Sequence, residues 1–186
     1  MGIMSKFKKA RATGGAFKYF EEGEHICQVN QIKQFEDRNG NEAVALDALI
    51  LHTTNPTMSV GETRNWMVSE EKKDVYAPNV KGMLMAVHNM SEGDLDGMTD
   101  ADFEDLCNLT FGEQQAAAGV YIKVISVKTR KKHAKNIPFD KCGPDDVYTK
   151  HAFQFVAAAG SEIEIGSNGI ALVKKAASAT GASLQQ

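Results

Sequence analysis

The sequence predicts a mainly β protein, a small five-stranded antiparallel barrel with helices inserted between its third and fourth strands. Three β-type runs come first, then two runs with helical spacing, then two further β-type runs. The pair Asn39-Gly40 separates the first two runs and supplies the positive φ angles that a tight hairpin turn requires. The succession of strands and helices along the chain is therefore predicted from the change of hydrophobic period and from the turn residues.

The first three strands form a predicted antiparallel meander. Residues 25–34 are β-like, but their apolar residues alternate imperfectly, which indicates a bulge or strong coiling. Residues 43–51 make a second strand that is buried on at least one side, and after the turn at Asn55-Pro56 residues 63–68 form the third strand. The face of the second strand that we expect in the core carries Val44, Leu46, Ala48 and Ile50.

Two helices are predicted after the third strand. Pro78 suits the first turn of a helix, because the proline nitrogen needs no hydrogen-bond partner there. The apolar residues that follow it at helical spacing are Val80, Met83, Leu84 and Val87. Thr99 is a suitable N-cap for the second helix, whose apolar stripe consists of Phe103, Leu106 and Cys107.

Two more strands complete the predicted barrel. Residues 120–129 form the fourth strand and residues 147–157 the fifth, joined by a long basic connection. A short hairpin is predicted within residues 162–173. Three strands, a helical insertion and two strands are the order of the OB-fold, so we expect an OB-fold-like five-stranded antiparallel barrel, although other small barrels share that order.

One domain with two tails is the expected organisation of the 186 residues. Residues 1–14 are basic and polar and are predicted to be a flexible arm. Residues 15–173 form the predicted nucleic-acid-binding domain, and residues 174–186 are rich in Ala, Ser and Gly and are expected to be disordered.

Charge is segregated along a chain whose formal net charge is only -3. Acids concentrate between Glu92 and Asp105. The cations cluster in the N-terminal arm and around the end of the fourth strand: Lys6, Lys8, Lys9, Arg11 and Lys18, then Lys123, Lys128, Arg130, Lys131, Lys132 and Lys135. Segregated charge creates a local field, and a basic β-hairpin with aromatic residues is typical of small β domains that bind polyanions.

Several classes of protein are disfavoured. No apolar run reaches the roughly 20 residues that span a bilayer. The N-terminal lysines precede no apolar stretch, so we expect a cytoplasmic protein without a membrane partner. Three distant cysteines make neither a disulfide framework nor a metal motif, and we expect no cofactor. No phosphate-binding loop, nucleophile elbow or zinc-protease motif is present, so no enzymatic activity is expected.

The third strand carries the most informative pair of candidate binding residues. Alternation places Arg64 and Trp66 on one face. One interpretation is a base-stacking tryptophan beside a phosphate-binding arginine. The other is that Trp66 belongs to the core and Arg64 closes the edge of the barrel.

Further candidates lie in the hairpins. Phe35 and Arg38 flank the first turn, which is one of the usual nucleic-acid contacts of this fold. Tyr121 and Lys123 share a face of the fourth strand, opposite the apolar face. The remaining expected contacts are Lys128, Arg130, Lys131 and Lys132 after that strand, and Lys8 and Lys9 in the arm.

Residues 14–90 resemble a group of bacteriophage single-stranded DNA-binding proteins of the OB-fold type. The resemblance depends on Gly15 and Phe17 before the strand start at residues 23–25, on the turn at residues 37–41, and on residues 60–67 and 79–84. It implies sequence-independent binding and protection of single-stranded DNA during phage replication or recombination, in the host cytoplasm, with replication or recombination proteins as further partners. Many such proteins end in an acidic tail, but this sequence has no acid after Glu164.

Two other functions are compatible with the sequence. The acidic helical insertion could dock a basic protein partner, which would make the chain an assembly module. A small nuclease built on an OB-like barrel is the third hypothesis, although no set of metal-ligating acids falls among the basic residues. Self-association into a homo-oligomer is left open by the sequence.

Overall fold

A curved antiparallel sheet of five strands, in the order β3-β2-β1-β4-β5, forms the body of the protein. The computed structural model describes residues 18–166, 169 and 171–173. The five strands are β1 (Gly23–Glu36), β2 (Glu42–Thr53), β3 (Thr63–Ser69), β4 (Tyr121–Arg130) and β5 (Val147–Ala157). The order is that of an OB-fold barrel opened between β3 and β5, so the predicted mainly β, OB-fold-like class is confirmed.

The barrel is closed by side chains and not by a fifth hydrogen-bonded ladder. Among the described strands, none of the pairings joins β3 to β5. The Trp66 ring on β3 meets the Phe153 ring on β5 edge to face, with 5.0 Å between the ring centroids. The inner faces of the two edge strands are therefore in contact although their backbones are not paired.

Strand β1 supplies the curvature. Its register with β2 shifts between Ile26 and Cys27 and again between Val29 and Gln31, which confirms the irregularity predicted from its alternation. Its first half also pairs with β4, up to Gln28. Beyond that point the side-chain amide of Gln115 replaces the missing strand, because it bonds the Ile32 nitrogen at 2.8 Å and the Ile32 oxygen at 2.9 Å.

The core lies between the inner face of the sheet and the first helix. All four residues predicted for the inner face of β2 are fully buried. They pack in one cluster with Ile122 and Val124 of β4 and with Met83, Leu84 and Val87 of the helix. Because every second residue of β2 is buried on this face, the register of the whole sheet is strongly specified.

Three helices connect β3 to β4: α1 (Lys73–His88), α2 (Glu92–Asp96) and α3 (Asp100–Phe111). The expectation that Pro78 begins a helix is wrong, because α1 starts five residues earlier and holds this proline inside it. The predicted N-cap at Thr99 is confirmed, since its side chain accepts a hydrogen bond from the Asp102 nitrogen. His88 Nε2 bonds Thr110 Oγ1 at 2.7 Å and ties α1 to α3.

A small C-terminal hairpin packs outside the main sheet. It consists of β6 (Ile163–Ile165) and β7 (Ala171–Val173), where the sequence predicts a hairpin. Gly169 in its turn has φ +72° and approaches His52 of β2, so closely that a Cβ at this position would lie 2.7 Å from Nε2. The predicted arm, residues 1–14, and the predicted tail, residues 174–186, lie outside the described residues.

Truncating Trp66 should test how the barrel is closed. We expect Trp66→Ala to lower the free energy of unfolding by about 3–5 kcal/mol, because it leaves a cavity against Phe153. Met67→Ala is the matched control, since Met67 neighbours it on β3 and is 37% exposed. Urea denaturation followed by circular dichroism gives both values, and equal losses in the two variants would contradict this account.

Candidate nucleic-acid interface

The two residues singled out on β3 point into the barrel. Trp66 is only 3% exposed and lies opposite Leu46 in the register with β2. The expectation that Trp66 is an accessible stacking residue is therefore wrong, and the alternative that it belongs to the core is confirmed. The physical reason is the register, because Ala48, Leu46 and Val44 of the buried face pair with residues 64, 66 and 68.

Arg64 is occupied by structural contacts. It is 7% exposed, and its guanidinium donates to Glu62 Oε1 through Nε at 2.9 Å and through Nη2 at 2.7 Å. It also bonds the Tyr19 carbonyl at 3.0 Å and pairs with Glu21 at 3.3 Å. A hydrogen bond from the Ser59 backbone, followed by that from Arg64, lowers the pKa of Glu62. The expected phosphate-binding role of Arg64 is not supported, because its charge is neutralised and its donors are used.

The first hairpin turn is well anchored but stands apart from the other candidates. Asp37 accepts hydrogen bonds from the Asn39 and Asn41 nitrogens and from Ser69 Oγ, at 2.8, 3.0 and 2.7 Å. The bond from Ser69 is the largest of the contributions that lower the pKa of Asp37. Arg38 is exposed in this turn and Phe35 is half-buried beside it. The turn comes after the last residue of β1, whereas the basic β4–β5 connection lies near the first residue of β1. Phe35 and Arg38 are therefore at the opposite end of β1 from the basic connection.

The hairpin of β4 and β5 extends beyond the barrel. Pairing between β1 and β4 ends where Gly23 meets Ser126, but β4 and β5 stay paired until Arg130 meets Val147. Residues 127–130 and 147–150 therefore form a projecting two-stranded ribbon. Within this ribbon Val127, Lys128, Tyr148 and Lys150 are exposed, whereas Thr129, Arg130, Val147 and Thr149 are half-buried.

One face of this hairpin is directed away from the core along its whole length. Ile122 and Val124 are fully buried on the other face, which places Tyr121 and Lys123 outside, as the sequence predicts. We define the β4–β5 outer face by the following residues: Tyr121, Lys123, Ile125, Val127 and Thr129 on β4, and Gln154, Ala152, Lys150 and Tyr148 opposite them on β5. Val127 is 50% and Tyr148 40% exposed, while Lys123 pairs with Glu24 at 2.6 Å.

The connection from β4 to β5 adds further cations. Residues 127–150 contain seven lysines and arginines and three aspartates. Among the described residues, no carboxylate lies within ion-pair distance of Lys128, Lys131 or Lys132. This surface therefore keeps a positive field that is available to an anionic ligand.

Arg130 holds the connection in place. Its Nη1 donates to the Ile137 carbonyl at 2.8 Å, and its guanidinium lies 5.6 Å from the centroid of the Phe139 ring. Phe139 is 48% exposed, so the ring has solvent access while one side contacts the guanidinium. Arg130 thus has a structural role in addition to its charge, whereas Lys128 and Lys132 are exposed.

Two neutral histidines lie at the base of the hairpin. His25 is fully buried and bonds Thr53 Oγ1 at 2.8 Å and the Glu21 carbonyl at 3.0 Å. His151 Nδ1 bonds Ser126 Oγ at 2.9 Å. Burial lowers the pKa of both residues, and that of His151 to about 4. No periodic pattern in the sequence indicates this pair, since His25 and His151 are 126 positions apart in the chain.

Lys8 and Lys9 lie outside the described residues. The structure distributes the other candidates along β4 and the connection after it, with Tyr121 and Lys123 on the outer face, Lys128 and Arg130 on the opposite face, and Lys131 and Lys132 beyond the strand. It places Phe35 and Arg38 elsewhere and uses Arg64 and Trp66 internally. Exposed Val127, Tyr148, Lys150 and Phe139 complete the surface. In the sequence, the mixture of aromatic and basic residues around the fourth and fifth strands indicated this surface.

Comparison of the chain with protein-family models and with curated proteins finds no match. Within the described part of the chain, no group of three or more His, Cys, Asp or Glu side chains could hold a metal ion. None of the described helices combines the length and the apolar character that crossing a membrane requires.

The lowered pKa of His151 predicts a loss of stability in mild acid. In the unfolded chain His151 binds a proton below its ordinary pKa of 6.5, but in the folded protein only below about 4. The free energy of unfolding should therefore not change above pH 6.5 and should fall as the pH drops from 6.5 to about 4. Between pH 7 and pH 5 the expected loss is about 2 kcal/mol at most. Thermal denaturation at both pH values, compared with His151→Gln, isolates this contribution, and an equal acid-induced loss in the variant would contradict it.

Proposed function

We propose that this protein binds single-stranded DNA without sequence preference, through the β4–β5 outer face and the basic connection beside it. The observation that carries the proposal is a projecting ribbon with exposed aromatic and apolar side chains, beside which Lys128 and Lys132 are exposed and form no ion pair with any described carboxylate. Binding of this kind protects exposed strands during replication or recombination.

The cations favour a phosphate backbone as the ligand. Lys128, Lys131 and Lys132 can each approach a phosphate without first breaking an ion pair, so association releases counterions at little cost to the fold. The acidic segment of residues 92–105 has seven carboxylates and no lysine or arginine. It repels a polyanion, which favours the ribbon and disfavours the helices as the binding surface.

The exposed rings favour a single strand over a duplex. Tyr148 presents an accessible ring on the outer face, and Phe139 lies in the adjacent connection. Unpaired bases can stack on such rings in any sequence, whereas the bases of a duplex are stacked on one another and inaccessible. Lys150 follows Tyr148 on the same face of β5, so a stacked base and its phosphate have neighbouring contacts.

The resemblance of residues 14–90 to phage single-stranded DNA-binding proteins supports the same function. The OB-fold-like sheet is a scaffold on which single-stranded nucleic acids are commonly bound. In a phage setting the protein would act in the host cytoplasm, and replication or recombination proteins would be its further partners.

A protein-docking role for the helical insertion is the second candidate. The observation that favours it is the exposure of Phe103 and Leu109 on α3, next to the acidic residues of this segment. Apolar side chains within an acidic surface suit a basic, partly apolar protein partner. Such a role is compatible with DNA binding, because the two surfaces consist of different residues.

Replacing two neighbouring lysines tests the proposed surface. We expect Lys131→Gln/Lys132→Gln to lower the affinity for an oligo-dT strand. The slope of log affinity against log salt should become shallower by about 1.4, which corresponds to two lost phosphate contacts on a single strand. Fluorescence anisotropy over a salt series gives both quantities.

Lys72→Gln/Lys73→Gln is the matched control for that experiment. It removes the same charge from an adjacent lysine pair, but at the start of α1, beside the end of β3. Its salt slope should equal that of the wild type. Equal effects of the two double variants would mean that binding responds to total charge only and that the proposed surface is wrong.

Tyr148 tests the stacking contribution separately. We expect Tyr148→Ala to weaken oligo-dT binding by about 1–3 kcal/mol, because a base loses its aromatic contact. Tyr148→Phe keeps the ring and should bind like the wild type. A duplex of the same length should bind more weakly than the single strand and respond little to Tyr148→Ala. The stacking role is refuted if Tyr148→Ala binds the single strand as tightly as the wild type.

A further inference from the structure

An open groove of about 640 Å³ lies where the β4–β5 outer face meets the C-terminal hairpin. Tyr121 belongs to both, because it is the first residue of β4 and also lines the groove. Lys123 follows it on the outer face. A DNA strand that lies along the outer face past Lys123 therefore comes to a residue that lines the groove.

The groove has the volume of a small-ligand site, and apolar side chains form part of its lining. Its volume falls within the range of roughly 300–1,000 Å³ that is usual for such sites. The half-buried ring of Tyr121 faces a lining that includes Leu51 of β2 and Ile163 and Ile165 of β6. An aromatic ring and branched aliphatic side chains suit a flat, weakly polar group such as a nucleobase.

The polar side chains that line the groove, Gln28, Ser161 and Glu162, can all accept hydrogen bonds. Among the described residues, no lysine or arginine lines the groove. Gln28 Nε2 donates to the Gly119 carbonyl at 3.4 Å, which leaves the side-chain oxygen of Gln28 as an acceptor. Glu162 is exposed and its carboxylate accepts only. A phosphate is disfavoured at this site, whereas an amino group on a base edge finds acceptors.

We propose that this groove is a nucleobase subsite, which takes one base of the bound strand and prefers bases that carry an exocyclic amino group. The inference rests on the proposed binding of single-stranded DNA, and it confines a base preference to this one subsite, while the ribbon and its cations bind any sequence. Tyr121 stacks on the base, and Glu162 accepts a hydrogen bond from the amino group. Cytosine has such a group where thymine has a carbonyl oxygen.

The test compares oligo-dC with oligo-dT of equal length at neutral pH. We expect the wild type to bind oligo-dC about fivefold more tightly, as one hydrogen bond to a charged acceptor allows. Glu162→Gln should abolish that preference. Tyr121→Ala should weaken oligo-dC binding about tenfold, while Tyr121→Phe retains it.

The outcomes separate this inference from the proposed function. Equal affinities of the wild type for both oligonucleotides, or a preference that survives in Glu162→Gln, would overturn the subsite. Should the Lys131→Gln/Lys132→Gln variant still lose affinity for both strands in that case, DNA binding at the ribbon stands without the subsite. If neither oligonucleotide binds the wild type at low salt, both proposals fail.

Discussion

The contact between Trp66 and Phe153 is the interaction on which the shape of this protein depends. Strands β3 and β5 share no hydrogen-bonded ladder, so the sheet is closed by the packing of these two rings, 5.0 Å apart. Closure directs Arg64 inward as well, and its pairing with Glu62 and Glu21 compensates a buried charge. Arg64 and Trp66, which in the sequence resemble a DNA-binding pair, are therefore structural residues of the barrel.

The same closure decides which surface remains for binding. With the inner face filled, β4 and β5 present their other face to solvent, and they continue beyond the barrel as a ribbon. Two of the cations there have structural partners among the described residues, since Lys123 pairs with Glu24 and Arg130 contacts Phe139. The neutral pair His25 and His151 fixes the base of the ribbon. The two histidines that contribute to stability thus lie beside the proposed binding surface but are not part of it.

Much of the fold could be predicted because it depends on local patterns. The apolar run of residues 43–51, the turn at residues 37–41 and the N-cap at Thr99 each depend on neighbouring residues, and the structure contains the strand, the hairpin turn and the cap. In the turn only Gly40 has a positive φ, of 81°, so the positive φ expected of Asn39 is not observed. Pro78 was a weaker guide, because tertiary packing extended α1 ahead of it. For the site, the basic and aromatic residues near the fourth and fifth strands were visible, but the acceptor residues of the groove were not.

The sequence by itself determined the order of the elements, the inner face of β2 and the segregation of charge, since period, turn chemistry and composition are properties of neighbouring residues. Only the tertiary structure decided that Arg64 and Trp66 face inward, because that depends on the register of β3 against β2, and a shift of one residue exchanges the two faces. It also decided that Tyr121 meets Gln28, Ser161 and Glu162. Gln28 and Tyr121 are distant in the chain, and the pairing of β1 with β4 and of β4 with β5 brings them to the segment that follows β5.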